Sequence, residues 1–238
     1  MCTVTFYKNR VGAAILTSNR DEKVHRPTIP PTAYAIGKTN TIYPKDEVAE
    51  GTWIALADSQ TIYCLLNGGF KKHVSTGDYK KSRGLIILDL IKQGDFNSFY
   101  NAYDFLGLEP FTLIVFENEK LYELKWDGTT KFLKFLEPKG HYIWSSATLY
   151  NEEEAELKKS WFDLLFSKQR PSEQAVFKIH NSSASEKGFL LEKDDLTRTV
   201  SISQLMVSNE IGTFNYLDLL NSKEQKLALI PSNKMTIH

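Results

Sequence analysis

Residues 1–22 read MCTVTFYKNRVGAAILTSNRDE, and this stretch decides the fold that we expect. Apolar and hydroxyl residues alternate over residues 2–7, as a strand with two different faces requires. A second strand is predicted over residues 12–19, which end in a polar run. The two strands are predicted to form a hairpin that turns in a two-residue loop at positions 10 and 11.

The predicted hairpin places the first thiol of the chain beside the polar run NRDE, residues 19–22. The numbers of facing residues in an antiparallel pair add to a constant. With the loop at positions 10 and 11, Cys2 is predicted to face Asn19. A slip of one or two residues places Arg20 or Asp21 there instead, so each register brings the thiol next to this run.

Cys2 directly follows the initiator methionine. A second residue this small normally lets methionine aminopeptidase remove Met1, and this leaves a free α-amino group on a cysteine. One residue then carries a thiol nucleophile and a base with a pKa of about 7.7–8.0, and activation by an N-terminal amine is an established catalytic arrangement. The alternative is that Cys2 is a strand residue that happens to come second. On the first hypothesis, the mature chain lacks Met1.

Other polar residues near the hairpin suit the same chemistry. A carboxylate at Asp21 would orient the α-ammonium group, and the guanidinium of Arg20 would favour a thiolate. Asn67 ends a predicted strand, and its amide would suit an oxyanion donor. The alternatives are that the polar run is a solvated loop and that Asn67 is a turn residue before two glycines. Cys64 lies within a predicted strand and is expected to be buried and inert.

The rest of the chain predicts strands, then helices, then strands, and this order favours one layered α+β domain over residues 1–238. Residues 24–50 hold four prolines and are predicted to form a long irregular loop. Strands are predicted over residues 52–57, 61–66, 111–117, 120–126, 197–207 and 209–219. Helices are predicted over residues 82–92 and 95–105, after the N-cap Asn151, and from Pro171 to His180. In the third helix the core side chains are predicted to be Leu157, Trp161, Leu164 and Leu165.

The composition excludes several classes of protein. Twenty-nine basic residues balance 29 acidic ones, so no overall field favours nucleic acid or an anionic membrane. Two cysteines exclude a disulfide framework, and a reducing compartment is the default. No segment resembles a signal peptide, and no apolar run approaches the ~20 residues that span a bilayer. We therefore expect a soluble, cytoplasmic protein without an integral membrane segment; the oligomeric state stays open.

Common catalytic and cofactor motifs are absent from the sequence. It contains no nucleophile elbow, no phosphate-binding loop, no HExxH zinc motif and no dinucleotide fingerprint. The five histidines are scattered without metal-ligand spacing. We therefore predict neither a metal nor a resident cofactor, and Cys2 remains the strongest candidate for chemistry.

An ordered set of short motifs resembles the NRDE family, which includes the transport and Golgi organisation proteins. Any one motif is weak, but together they span about residues 1–205. The motifs are Met1-Cys2, Asn19-Arg20-Asp21-Glu22, Arg26-Pro27, Gly51-Thr52-Trp53, Asn67, Ser82-Arg83-Gly84, Ser145-Ser146-Ala147 and Arg198-Thr199.

The NRDE family is in turn similar to the N-terminal nucleophile hydrolases, especially the penicillin V acylase and bile-salt hydrolase branch. This resemblance implies an α+β fold, a four-layer αββα sandwich. It implies Cys2 as nucleophile and base, Asp21 as the residue that orients the amine, Arg20 as a charged neighbour and Asn67 as an oxyanion donor. The family motifs also indicate four binding residues: Asn19, Trp53, Ser146 and Arg198.

Two features depart from the family pattern. Ser146 occupies a position where the family usually has asparagine, and a serine side chain is shorter. Arg20 immediately precedes Asp21, whereas the acylases space this pair more widely. Both departures weaken an inference of efficient hydrolysis and leave the fold inference unchanged.

Two functions follow from the resemblance. The first is hydrolysis of a C–N amide bond in a small, non-peptide or peptide-like molecule, with Cys2 attacking the carbonyl. The alternative is a trafficking or chaperone protein that binds haem, a lipid or an acyl-CoA in the same cleft, with haem as a transported ligand. Cys2 serves both hypotheses.

Overall fold

Two antiparallel sheets lie face to face, and helices cover the outer face of each. The computed structural model describes residues 2–75, 77–167, 169–208 and 211–230. The strands are β1 (Cys2–Lys8), β2 (Ala14–Lys23), β3 (Thr28–Ile36), β4 (Thr39–Asp46), β5 (Ile54–Ala57), β6 (Thr61–Asn67), β7 (Phe111–Glu117), β8 (Lys120–Trp126), β9 (Lys131–Leu136), β10 (His141–Ser145), β11 (Thr197–Val207), β12 (Gly212–Asp218) and β13 (Lys223–Leu229). The helices are α1 (Leu85–Gln93), α2 (Phe96–Ala102), α3 (Glu152–Phe166) and α4 (Glu173–His180), with a 3₁₀ turn at Ala184–Glu186.

The order of strands confirms the predicted four-layer αββα sandwich. The first sheet has the order β10-β1-β2-β11-β12-β13, and the second runs from β3 to β9 in chain order. Helices α3 and α4 pack on the first sheet, and α1 and α2 pack on the second. None of the described helices is long and apolar enough to cross a bilayer.

Alternation along the strands builds three apolar layers. Val4 and Phe6 point between the two sheets, where they meet Leu56 and Phe116. Tyr7 points to the other face of β1 and packs under the helices α3 and α4. A third layer lies between the second sheet and the helices α1 and α2. The central layer buries the start of β1, and Cys2 with it.

The first hairpin forms as predicted, but its register is shifted by one residue. Cys2 faces Arg20, and Lys8 faces Ala14. The loop has three residues rather than two, because Gly12 adopts a positive φ of 86° and the Asn9 N–H donates to the Ala13 carbonyl at 2.9 Å. A glycine in this conformation is typical of three-residue hairpin loops.

The expectation of an irregular loop over residues 24–50 is wrong. Strands β3 and β4 pair there as a hairpin. Pro30 and Pro31 are accommodated because β3 is an edge strand, and because the register shifts between Ile29 and Thr32. Prolines are tolerated at edges and bulges, where no ladder hydrogen bond is lost.

Helix α3 begins as predicted, with a capping box between Asn151 and Glu154. Two residues of its predicted core are in the wrong place, since Leu157 is 49% exposed and Leu164 is 59% exposed. The buried positions are Lys158 and Phe162 instead.

The remaining differences concern the edges of the sheets. Strands β9, β10 and β13 lie outside the predicted elements. Strand β12 covers most of the strand predicted over residues 209–219, of which positions 209 and 210 lie outside the described residues. Met1 also lies outside them, so its predicted removal stays a prediction.

Candidate active site

Cys2 and Arg20 lie side by side at the end of the central strands β1 and β2. Facing residues of an antiparallel pair share one face of the sheet, so both side chains point between the two sheets. The Arg20 guanidinium stacks 4.4 Å from the centre of the Trp53 ring. Its Nη2 donates to Asp46 Oδ2 at 2.7 Å. The predicted charged neighbour of the thiol is therefore held in a fixed position.

A pocket of about 110 Å³ opens beside Arg20. Trp53 and the half-buried Asn67 line it together with Arg26, Asp46 and the segments 51–53 and 82–84. Two of the sequence motifs meet here, since the Thr52 N–H donates to the Gly84 carbonyl at 3.0 Å. A Cβ on Gly51 would lie 2.4 Å from the Gly84 carbonyl carbon, so only glycine fits there.

Asp46 organises the charges of this pocket. It accepts hydrogen bonds from Arg20 Nη2 and Arg26 Nε, both at 2.7 Å. Burial opposes its ionisation, but the hydrogen bonds from the Ala49 N–H and Arg26 and the two arginine charges together lower the pKa of Asp46 below its usual value. The carboxylate therefore stays charged and holds both guanidinium groups at the pocket wall.

Ser146 links the backbone of Cys2 to the end of β6. Its N–H donates to the Cys2 carbonyl at 3.0 Å, and its Oγ donates to the Asn67 carbonyl at 2.8 Å. Serine is therefore long enough to bridge the two sheets at this position. The predicted residues Cys2, Asn67 and Ser146 thus lie together, with Arg20 and Trp53 beside them.

The thiol of Cys2 is fully buried. Burial raises its pKa, and the negative charge of Asp21 adds to the effect. Cys64 is also buried, as predicted, and burial raises its pKa well above the usual value, with a further contribution from Cys2. Since neither thiol ionises by itself near neutral pH, a reaction at Cys2 needs a base.

The Asp21 side chain lies on the other face of the first sheet from the Cys2 thiol. Its Oδ2 accepts from the Tyr150 hydroxyl at 2.7 Å, and its Oδ1 accepts from Thr199 Oγ1 at 2.6 Å. It is completely buried, not solvated. Asp21 belongs to the polar run that was predicted to lie next to the thiol, but its side chain points away from the sulfur, because successive residues of a strand alternate in direction.

Asn19 and Arg198 lie away from the pocket. Asn19 Nδ2 donates to the His180 and Phe189 carbonyls, and its Oδ1 lies 2.6 Å from His180 Nδ1. Its polar atoms are therefore occupied in anchoring the end of α4. Arg198 is exposed on β11, where it faces Glu22 in the neighbouring strand.

Two buried residues near Asp21 were not among the site residues predicted from the sequence. Tyr150 and Lys158 are both buried on the far face of the first sheet. Tyr150 directly precedes the predicted N-cap Asn151, a position where an apolar side chain often packs against the first turns of the helix. Lys158 carried no such signal, because lysines on helices are usually solvated.

The described residues hold no evident metal site. Within these ranges, no three His, Cys, Asp or Glu side chains lie close enough together to hold an ion.

Comparisons with known proteins place the chain in a family. It matches the family described as Transport and Golgi organisation 2 over residues 1–225. No curated protein matches the chain in sequence.

Solved structures that have a similar fold include the following three. They are the N-acylethanolamine-hydrolyzing acid amidase ortholog of Caenorhabditis elegans (TM-score 0.60, 12% identity, 86% of this chain and 92% of that chain), a mutant conjugated bile acid hydrolase from Clostridium perfringens (TM-score 0.60, 10% identity, 98% and 93%) and penicillin V acylase from Agrobacterium tumefaciens (TM-score 0.53, 9% identity, 100% and 94%). At these identities the likeness establishes the fold, that of N-terminal nucleophile hydrolases.

Proposed function

Because the chain belongs to the Transport and Golgi organisation 2 family and has the fold of N-terminal nucleophile hydrolases, we propose that it hydrolyses a C–N amide bond with Cys2 as nucleophile. The observation that carries this proposal is the position of Cys2. It faces Arg20 at the strand end, and Arg20 lines a pocket together with Trp53 and Asn67. The similar structures are named as an amidase, a bile acid hydrolase and an acylase, which supports an acyl amide as substrate.

The reaction begins with transfer of the thiol proton of Cys2 to its own α-amino group, which removal of Met1 would create. Burial raises the pKa of the thiol, so this internal base is required. The sulfur then attacks the substrate carbonyl carbon, and the carbonyl oxygen becomes an oxyanion. The amide of Asn67 and a backbone N–H are suited to stabilise that charge, as oxyanion-hole donors do.

Collapse of the tetrahedral intermediate breaks the C–N bond. The α-ammonium group returns its proton to the leaving nitrogen, the amine departs, and the acyl group remains on Cys2 as a thioester. Water, deprotonated by the same amine, attacks the thioester and releases the carboxylic acid. The net reaction consumes one water and regenerates the thiol.

The size of the pocket favours a small acyl or amine group. Its volume of about 110 Å³ is well below the ~300–1,000 Å³ of typical sites for drug-sized ligands. A porphyrin would need a larger space than this pocket offers. The experiment therefore has to distinguish amide hydrolysis from the binding of haem by a carrier.

The test measures amine release by Met1-free protein from a panel of small N-acyl amides. Cys2→Ala and Cys2→Ser should abolish release. Cys64→Ala is the matched control, because Cys64 is the other buried thiol and has no part in the proposed chemistry; this variant should keep the activity. Failure of the wild-type protein to release any amine, together with stoichiometric haem binding that Cys2→Ala abolishes, would instead favour the carrier.

A further inference from the structure

A cluster of polar side chains is buried between the first sheet and α3, on the opposite face from the Cys2 thiol. Both oxygens of Asp21 accept hydrogen bonds there, from Tyr150 and Thr199. Lys158 Nζ donates to Thr3 Oγ1 at 2.8 Å. All five side chains are buried. This far-face cluster therefore includes one carboxylate and one ammonium group. Its members are Thr3, Asp21, Tyr150, Lys158 and Thr199.

Lys158 is a costly residue to bury. It is only 8% exposed, and an unpaired buried ammonium costs several kcal/mol. Its Nζ lies 3.7 Å from the centre of the Tyr150 ring and 5.7 Å from that of Phe189, and aromatic faces stabilise cations. Burial lowers the pKa of Lys158 to about 8, although the charges of Asp21 and Glu154 oppose this effect. At neutral pH the ammonium form therefore persists.

The other titratable groups around Lys158 are neutral or belong to the helix cap. Burial, with a contribution from the Lys158 charge, lowers the pKa of His180 on α4 well below its usual value. Burial and the charge of Asp21 raise the pKa of Tyr150. Glu154 on α3 is engaged in the capping box, and the buried Cys2 thiol on β1 is protonated. Burial raises the pKa of Asp21, while the charge of Lys158 and the hydrogen bonds from Thr199 and Tyr150 oppose this effect. Within the described part of the chain, Asp21 is thus the buried carboxyl group whose ionised form Lys158 favours.

The strand register places Asp21, and with it Lys158, near the α-amino group of Cys2, which is the proposed base. Cys2 faces Arg20, so Asp21, the next residue of β2, lies beside the amino side of Cys2. The α-amino group of the processed chain belongs on that side. A buried carboxylate without another cation would hold this amine in its protonated form, and a protonated amine cannot accept the thiol proton.

We propose that Lys158 is a positioning residue that balances the charge of Asp21 and thereby leaves the α-amino group of Cys2 free to act as a base at neutral pH. Asp21 then orients the amine as a hydrogen-bond acceptor without trapping it as an ammonium ion. This inference rests on the proposed function, because it requires a processed Cys2 that acts as nucleophile.

The test is a titration of the α-amine in Met1-free protein labelled with ¹⁵N-cysteine. In Lys158→Met we expect the pKa of the amine to rise by at least one unit, which leaves about tenfold less free amine at pH 7. Lys159→Met is the matched control, because Lys159 is an exposed neighbour on the same helix that pairs with Asp163 at 2.7 Å; it should leave the amine unchanged. An equal amine pKa in Lys158→Met and Lys159→Met would overturn the proposal.

Two further variants decide the question if Lys158→Met does not fold. Asp21→Asn keeps the Lys158 charge near the amine, whereas the double variant with Lys158→Met removes both charges and leaves no unpaired buried ion. The amine pKa should be lower in Asp21→Asn than in the double variant, because a nearby cation disfavours protonation. Equal values would also overturn the proposal. Neither titration needs turnover, so an absence of amide hydrolysis would count against the proposed function alone.

Discussion

The thiol of Cys2 and the carboxylate of Asp21 lie on opposite faces of the same sheet. Cys2 shares its face with Arg20, while Asp21 accepts hydrogen bonds from Tyr150 and Thr199 below α3. Asp21 is therefore placed to act on the α-amino group of Cys2 and not on its sulfur. The sulfur instead shares its face with Arg20 and belongs to the apolar layer between the two sheets.

Replacing Asp21 by Asn should show whether the protein acts as a hydrolase or as a carrier. The change keeps the size of the side chain but removes the charge that orients the α-amine, so we expect kcat to fall about 10²-fold. Affinity for haem or a lipid, which depends on apolar burial, should change by less than about tenfold. Asp163→Asn, at an exposed carboxylate on α3, is the control. Steady-state kinetics that are unchanged in Asp21→Asn would contradict the role of this residue.

Replacing Ser146 by Ala should slow the reaction without weakening substrate binding. The variant loses the hydrogen bond from Ser146 Oγ to the Asn67 carbonyl, and one such bond contributes about 1 kcal/mol. We expect kcat to fall about tenfold, with KM unchanged, because the proposed oxyanion donor is less well positioned. Ser160→Ala, an exposed position on α3, serves as the control. A rise in KM at constant kcat would show instead that Ser146 contributes to binding.

Replacing Asp46 by Ala should destabilise the fold. Arg20 and Arg26 both lose their carboxylate partner, and Arg20 is only 4% exposed at its side chain. Breaking a fully buried ion pair costs about 3–5 kcal/mol. Because Arg26 is partly solvated, we expect a loss of about 2–3 kcal/mol in the free energy of unfolding by urea. Asp104→Ala breaks the exposed pair with Lys80 and should leave the urea midpoint unchanged; an equal effect of both variants would contradict this account.

Lys158 should contribute a stability that increases with pH on the alkaline side. Burial lowers the pKa of Lys158 to about 8 in the folded chain, whereas an unfolded chain has a lysine pKa of about 10.4. Between these values Lys158 is more often protonated in the unfolded state, so its contribution to the unfolding free energy increases with pH. The raised thiol pKa values of Cys2 and Cys64 act in the opposite direction. We expect the stability difference between the wild type and Lys158→Met to grow by about 2 kcal/mol between about pH 8 and pH 10, because the contribution of the thiols is present in both proteins.

Urea unfolding at intervals across this window measures the difference. Lys158→Met should lack the contribution of Lys158, and Lys159→Met should retain it. Parallel pH profiles of the wild type and Lys158→Met would rule out a buried lysine as the source of the difference.

The pairing of Cys2 with the NRDE run could be predicted to within one residue. Alternation fixes which residues form the strands, but the register depends on the loop, and the positive φ of Gly12 admits a third loop residue. The hairpin of β3 and β4 was missed because four prolines suggested a loop. Their tolerance depends on the edge position of β3, which is a property of the assembled sheet.

The far-face cluster could not be predicted from the sequence. The spacing of the leucines predicted that the face of α3 with Leu157 and Leu164 is buried. In the structure, the buried face carries Lys158 and Phe162 instead. An inward lysine is stable only because Asp21 and the Tyr150 ring lie opposite it, and both come from other parts of the chain. The spacing of apolar residues within α3 carries no information on contacts with residues from other parts of the chain.

The most direct test of Cys2 as an N-terminal nucleophile is the mass of its acyl-enzyme. Met1-free protein is mixed with a small N-acyl amide, quenched in acid within the first turnovers and mapped by peptide mass spectrometry. We expect one acyl group on the peptide that begins with Cys2, and no acyl group in protein that retains Met1. Acylation of Cys64 or of a lysine, or equal acylation with Met1 retained, would contradict the account.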